Sequence, residues 1–195
     1  MRRSPRKTSS YPWYVRLIFA LQRRKYGNVL ESARHWGQLP RPFLFLTFLY
    51  RSLDRSDSPI EPGLRSLITV TVSRINGCRF CVDLNSATAL ERHISPEKLA
   101  DLPRFDTSPQ YTERERVGLR FAEAVTRTGD DGIDALREEA RSHFGETGLL
   151  ELAALVAFQN MSSKFNNALG IPSQGFCVVA PPLGTDEFQD GPKIV

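Results

Sequence analysis

Two of the three cysteines in this 195-residue chain, Cys78 and Cys81, are separated by only two residues. They follow an Asn76-Gly77 break and stand at the start of a predicted helix. A Cys-x-x-Cys pair can close a disulfide across one helical turn, and a helix N-terminus lowers the pKa of a thiol placed there. The pair therefore predicts a redox dithiol. Two alternatives stay open at this point: half of a zinc site, or two buried structural cysteines.

The segment before the cysteines, residues 64–75, decides between two fold classes. Its β-branched run at 68–72 is typical of a strand, and a strand followed by Cys-x-x-Cys on a helix is the thioredoxin arrangement. However, the body of the chain has no second convincing strand that could pair with it. The apolar positions also fit a helical stripe, so we predict a helix. The stripe consists of Leu64, Leu67, Ile68, Thr71 and Ile75.

Helical periodicity and capping signals predict the remaining elements. Further helices are expected at residues 13–26, 29–36, 43–53, 78–92, 96–102, 113–127, 133–144 and 146–169. The helix at 43–53 is apolar nearly all round, so we expect it to be buried or to lie at a subunit interface. The sum is a single all-α domain of seven to nine helices over residues 11–170. A disordered basic arm (1–10) precedes it, and an extended tail rich in Pro and Gly (171–195) follows.

Charge is unevenly distributed along the chain. The net charge is +4, yet the residues before the first acid, Glu31, carry +8 and the remainder carries −4. A basic arm can contact nucleic acid or anionic lipid. We expect no such partner here, because a solvated basic tail is more common and no nucleic-acid motif follows the arm.

Composition and cysteine usage indicate the compartment. With 41% hydrophobic and 25% charged residues, the chain reads as an ordinary globular protein. The apolar run at 13–21 is short and interrupted by Arg16, so it does not resemble a signal peptide, and no segment approaches the length of a membrane span. A lone dithiol fits a reducing compartment, and we expect a cytoplasmic protein.

The pattern around the cysteines resembles the core of the carboxymuconolactone decarboxylase and alkylhydroperoxidase D family. The resemblance rests on residues 64–67, 70–73 and the motif Asn76-Gly77-Cys78-x-x-Cys81-x-x-x-Asn85. It is densest over 61–102 and continues more weakly at 151–169. It implies a compact all-α fold and a homo-oligomer, commonly a trimer or hexamer. The family has a dithiol peroxidase branch and a cysteine-free decarboxylase branch, and the two cysteines point to the first.

The resemblance also implies roles for the cysteines. In the peroxidase branch the motif is Glu, eleven residues, Cys-x-x-Cys, three residues, His. By this pattern Cys81 attacks a peroxide and becomes a sulfenic acid. Cys78 then reacts with this sulfenic acid to form a disulfide, and an external dithiol reductant restores both thiols. The glutamate and histidine would relay protons during the attack. The resemblance implies no cofactor.

This sequence departs from the pattern at both relay positions. Ser66 stands where the family has glutamate, and Asn85 stands where it has histidine. Both side chains can form hydrogen bonds, but neither takes up a proton near neutral pH. Thiolate formation is therefore left to the helix dipole and to a nearby cation such as Arg79.

The last predicted helix carries a polar stripe at Asn160, Ser163 and Asn167, which are spaced i, i+3 and i+7 on an otherwise apolar segment. Polar groups on a largely buried helix need partners. We predict that the stripe lines the dithiol pocket and supports it. The alternative is a hydrated subunit interface.

A zinc site is not expected, and two classes of function remain. A zinc site needs two more ligands, and none of the candidates has a companion at ligand spacing, so we expect no metal; these candidates are Cys177, His35, His93 and His143. The first function is a dithiol oxidoreductase of peroxiredoxin-like, alkylhydroperoxide-reducing activity. The second is a non-catalytic redox sensor, or an oligomer that binds a small ligand or partner. The missing relay favours the non-catalytic function, whereas the cysteine spacing favours the oxidoreductase. We predict the oxidoreductase.

Overall fold

The computed structural model describes residues 10–128 and 132–183, and over these residues it contains eight α-helices and no strand. The all-α prediction is confirmed, and the helix count lies within the predicted range. Apart from Ser10, the predicted basic arm lies outside the described residues, as does the predicted tail from 184 onward. The helices are α1 (Trp13–Tyr26), α2 (Glu31–Trp36), α3 (Pro40–Leu53), α4 (Pro62–Ile75), α5 (Arg79–Glu91), α6 (Pro96–Ala100), α7 (Glu113–Arg127) and α8 (Ile133–Ala168).

Contacts divide the chain into two compact units, residues 1–52 and 53–195; the single domain expected over 11–170 stays a prediction. The first unit holds α1, α2 and nearly all of α3. Val15 and Phe19 are the buried residues of α1, and the Phe19 ring lies 6.1 Å from that of Phe43. These apolar contacts form a small core within this unit.

Helix α3 is largely exposed in the single chain. Phe43 is its buried residue, whereas Phe45 and Phe48 are 70% and 60% exposed. Of the two alternatives expected for this helix, burial within the chain is therefore not observed. A helix that is apolar all round need not be covered by its own chain, and the subunit-interface alternative stays a prediction.

Helix α4 lies at the centre of the second unit. Every residue from Leu64 to Arg74 is buried, and the helix packs against α5, α7 and α8. The β-branched run at 68–72 is helical, as predicted, because burial on all sides outweighs its weak local preference for a strand. The cysteine pair follows directly from this central helix.

Two local signals position the remaining long helices. Thr112 and Glu115 form the reciprocal capping box at the start of α7. Gly145 interrupts α8 with a positive φ of 70°, a backbone conformation that favours glycine. The predicted break between residues 144 and 146 is thus confirmed. None of the helices in the described residues combines the length and apolar character that a membrane span requires.

Candidate active site at the cysteine pair

The turn between α4 and α5 places the cysteines at a helix N-terminus, as predicted. Gly77 adopts a positive φ of 64°, and the backbone N–H of Cys78 donates to the carbonyl of Ser73 over 3.0 Å. Cys78 is the N-cap of α5, and its Sγ accepts a hydrogen bond from the backbone N–H of Cys81 over 3.2 Å. The first sulfur therefore occupies the place of a capping oxygen.

The two sulfur atoms lie at bonding distance and form a disulfide, with the two Cα atoms 5.2 Å apart. Cys78 is 1% exposed and Cys81 is 3% exposed. A third group reaches the pair from α8, because the Nδ2 of Asn166 donates to the Sγ of Cys81 over 3.2 Å. Each sulfur thus has its own hydrogen-bond donor.

The position equivalent to the family histidine belongs to a neutral network. The Nδ2 of Asn85 donates to the Oγ of Ser73 over 3.1 Å. The Nε2 of Gln159 donates to the same Oγ over 3.0 Å and to the Oγ of Ser163 over 3.2 Å. Carboxamides and hydroxyls carry no charge near neutral pH, so this network can orient groups but cannot act as a base.

The position equivalent to the family glutamate belongs to a charged network. The Oγ of Ser66 accepts a hydrogen bond from the Nη1 of Arg92 over 3.1 Å. The Nη2 of Arg92 bonds both carboxylate oxygens of Asp54, over 2.7 Å and 2.6 Å. The Nε of Arg65 also bonds Asp54, over 3.2 Å. The structure therefore assigns Ser66 and Asn85 to two different hydrogen-bond networks.

The predicted polar stripe on α8 divides into two groups. Asn160 accepts a hydrogen bond from the Nδ2 of Asn76 over 2.8 Å, and the Nδ2 of Asn167 donates to the carbonyl of Asn76 over 2.6 Å. These two amides hold the turn that leads to Cys78, whereas Ser163 joins the neutral network. Their supporting role in the chemistry stays a prediction.

Asn166 is a site residue that was not predicted from the sequence. The fully inward stripe is Gln159, Ser163 and Asn166, which are 5%, 0% and 1% exposed. Its spacing of i, i+4 and i+7 is as regular as that of the predicted stripe, and this spacing was the signal available in the sequence.

Asp83 is a second residue that the sequence analysis missed. It lies on α5, two residues after Cys81, and is 4% exposed. Its carboxylate accepts hydrogen bonds from the Ser173 hydroxyl and from the backbone N–H groups of Gln174, Gly175 and Cys177, over 2.7 to 2.8 Å. The non-helical segment 173–177 is therefore fastened to the helix that carries the dithiol. Such multiple donors suit a buried carboxylate.

The third cysteine differs from the pair. Burial raises the pKa of the Cys177 thiol, which makes it a weaker nucleophile at neutral pH. No group of three or more His, Cys, Asp and Glu side chains within residues 10–128 and 132–183 is arranged to hold a metal ion.

Comparison with known proteins places this geometry in a family. The model of the carboxymuconolactone decarboxylase family matches residues 44–124. The protein YnjA of Escherichia coli strain K12 is 38% identical over 169 residues, which cover 87% of this chain and 93% of YnjA.

Two solved structures share the fold. The alkylhydroperoxidase AhpD core of a peroxidase-related protein from Ralstonia eutropha JMP134 has a TM-score of 0.80 and 23% identity, covering 90% of this chain and 93% of that one. The debrominase Bmp8 has a TM-score of 0.77 and 23% identity, covering 88% of this chain and 91% of Bmp8. The residues matched by the family model include the motif around Cys78 and Cys81. This chain therefore belongs to the carboxymuconolactone decarboxylase family and has the alkylhydroperoxidase D-like fold.

Proposed function

We propose that this protein is a dithiol oxidoreductase that reduces alkyl hydroperoxides, with Cys81 as the nucleophile and Cys78 as the resolving thiol. The observation that carries the proposal is the disulfide between Cys78 and Cys81 at the N-terminus of α5. A disulfide across one helical turn forms and opens with little movement of the backbone. The two donors to the sulfur atoms also favour the thiolate form of each cysteine.

The proposed cycle has three balanced steps. The thiolate of Cys81 attacks the distal peroxide oxygen, the O–O bond breaks, and a proton from solvent converts the leaving alkoxide to an alcohol, which leaves a sulfenic acid on Cys81. The thiol of Cys78 then displaces hydroxide from that sulfur, releasing water and forming the disulfide. An external dithiol transfers two electrons and two protons by thiol–disulfide exchange and becomes a disulfide itself.

The missing relay shapes the expected kinetics. Ser66 and Asn85 cannot accept the thiol proton, so the proton of Cys81 passes to solvent before the attack. The rate of peroxide reduction should therefore rise with pH along the ionisation of Cys81 alone. A relay enzyme gains about 10²- to 10⁴-fold from positioned acid–base groups, and we expect this protein to be slower than such an enzyme.

Stopped-flow consumption of cumene hydroperoxide and hydrogen peroxide by the reduced protein tests the proposal. We expect one Cys78–Cys81 disulfide, detected by mass spectrometry, for each peroxide consumed. Cys81→Ser should abolish the reaction, Cys78→Ser should leave a sulfenic acid, and Cys177→Ser should react like the natural chain. Peroxide that persists while Cys78 and Cys81 stay reduced would refute the proposal.

A non-catalytic redox sensor or ligand-binding oligomer is the second candidate. The observation that favours it is the neutral side chain at each relay position. The pKa of Cys81 separates the two candidates, because the enzyme needs a depressed value and a purely structural pair has a normal or raised one. Since Bmp8 is a debrominase, a brominated aromatic should be tested beside the peroxides as an electrophile.

The assembly and location are also proposals. The exposed apolar side chains of α3, among them Phe45 and Phe48, support a homo-oligomer, for which we propose a trimer or hexamer. We propose a cytoplasmic location, because a dithiol cycle of this kind needs a supply of reducing thiols. Sedimentation analysis of the natural chain and of Phe45→Ser would test the assembly.

A further inference from the structure

Asn166 is the side chain that contacts the sulfur of Cys81. We propose that Asn166 stabilises the Cys81 thiolate in the reduced protein. This inference deepens the proposed function and rests on it for the identity of the oxidant. The contact itself is the hydrogen bond from Nδ2 to Sγ over 3.2 Å.

Burial creates the need for such a donor. Cys81 is 3% exposed, and removal from water disfavours a thiolate and raises the pKa of a thiol. The backbone donor at the start of α5, the N–H of Cys81, is directed at Cys78. For Cys81, the side-chain donor from α8 offsets the free-energy cost of removing a thiolate from water.

The other carboxamide near the pair is engaged elsewhere. Asn85 occupies the family's histidine position, but its Nδ2 donates to the Oγ of Ser73 and to the carbonyl of Thr69. The residue that resembles the family's relay in sequence is therefore not the residue that contacts the nucleophile. Asn166, which lies on α8 and 85 residues after Cys81 in the sequence, provides that contact.

Asn166 is held in place before any reaction occurs. Its side chain is buried, the residue being 1% exposed, and its backbone carbonyl accepts a hydrogen bond from the N–H of Ile171 over 3.0 Å. A donor that is already oriented stabilises developing charge without a further cost of reorganisation. The thiolate on Cys81 is such a charge.

The same contact predicts which sulfur leaves when the disulfide is reduced. An external thiolate bonds to one sulfur, the bond between Cys78 and Cys81 breaks, and the electron pair stays on the other sulfur. A better stabilised thiolate leaves faster. The contact from Asn166 therefore favours attack at Cys78, after which Cys81 departs as the thiolate.

The experiment measures the pKa of Cys81 by the thiolate absorbance at about 240 nm. Cys78→Ser combined with Cys177→Ser leaves Cys81 as the single thiol and retains a capping hydroxyl at position 78. In this background, Asn166→Ala should raise the pKa by about 1 unit or more. Asn166→Asp, which keeps the shape and adds a negative charge, should raise it further. The exposed asparagine Asn28 supplies the matched control, and Asn28→Ala should leave the pKa unchanged.

A second measurement needs no variant at Asn166. In the single-thiol protein, the side-chain amide NMR signals of Asn166 should shift with pH at the same midpoint as the 240 nm absorbance. A third measurement uses the variant again. With both cysteines present, Asn166→Ala should slow reduction of the disulfide by dithiothreitol by about three- to tenfold.

Amide signals that do not follow the thiol, or a pKa that stays the same in a folded Asn166→Ala protein, would overturn the inference. Its failure is distinguishable from that of the peroxidase proposal. A pKa that responds to Asn166 in a protein that leaves peroxide intact would support the inference and refute only the activity.

Discussion

The side-chain networks at the two ends of the α4–α5 helix pair differ in charge. At the cysteine end, Asn85, Ser73 and Gln159 form a network of neutral groups. At the other end, Asp54 binds both Arg92 and Arg65, and the Arg65 side chain is only 4% exposed. The first network consists of neutral side chains only, whereas the second connects the helices through ion pairs.

The two departures from the family motif lie in different networks. The glutamate and histidine of the motif exchange protons with each other, which requires them to share one network. Here Asn85 belongs to the neutral network and Ser66 to the charged one. Because the two positions belong to separate networks, restoring one residue should not have the same effect as restoring the other.

The largest expected effect is on stability at the charged end. Asp54→Ala should lower the free energy of unfolding by about 3 kcal/mol or more, because it leaves the buried Arg65 without its carboxylate. Urea denaturation followed by circular dichroism measures the change. Asp57→Ala, which removes an 80% exposed partner of Arg55, is the control and should cost less than about 1 kcal/mol. An equal loss in both variants would contradict the assignment of the ion pairs.

Restoring the relay separately tests the division of the two positions. Asn85→His should raise the rate of peroxide reduction about tenfold, because an imidazole can accept a proton near the nucleophile. Ser66→Glu should give no gain, since the guanidinium of Arg92 lies where the new carboxylate would form an ion pair. Stopped-flow kinetics at several pH values measures both. A gain from Ser66→Glu alone would show that the two ends are not separate.

The neutral network should be worth less than the ion pairs. Ser73→Ala should cost about 1–2 kcal/mol of unfolding free energy, because Ser73 is fully buried and accepts from both Asn85 and Gln159. Ser142→Ala, at an exposed serine with one local bond, should change it by less than about 0.5 kcal/mol. Thermal and urea unfolding of the two variants compare them directly. A Ser73→Ala protein as stable as the natural chain would show that the network does not contribute to the free energy of unfolding.

The smallest expected effect tests a carboxylate near the cysteine end. Burial raises the pKa of Glu123, and the charges of Arg127 and Arg74 only partly oppose this. A raised pKa in the folded state means that the stabilising contribution is present at low pH and is lost as the pH rises through that pKa. Glu123→Gln should therefore raise Tm at pH 8, by less than about 2 °C, and the gain should vanish near pH 4. A Tm that falls at pH 8 would instead show that the attraction to Arg74 dominates.

Local signals made much of the fold predictable. The predicted bounds of α1 (Trp13–Tyr26) and α7 (Glu113–Arg127) agree with the structure, because a glycine stop and a capping box act within one helical turn. The helical state of α4 was also predicted, from its apolar stripe and from the lack of partner strands. For α3 the sequence left two alternatives open, burial within the chain or a subunit interface, since hydrophobicity does not say whether the same chain covers a surface.

The surroundings of the dithiol could be predicted only in part. The cysteines and the relay positions follow from one short motif, but Asn166 and Asp83 act through contacts 85 to 94 residues apart in sequence. The predicted stripe at Asn160, Ser163 and Asn167 overlaps a second one at Gln159, Ser163 and Asn166, and the two have nearly the same helical period. Only packing shows which of them points inward.

The fastening of segment 173–177 to Asp83 has a consequence for the order of synthesis. On a ribosome the cysteines are made well before Asn166, and before the donors to Asp83, which lie 90 to 94 residues further along. At about 5–20 residues per second, the last 85 residues up to Asn166 take roughly 4 to 17 seconds to add. During that interval the nascent cysteine pair has neither neighbour. Its surroundings are therefore completed late, when translation delivers the final turns of α8 and the segment beyond them.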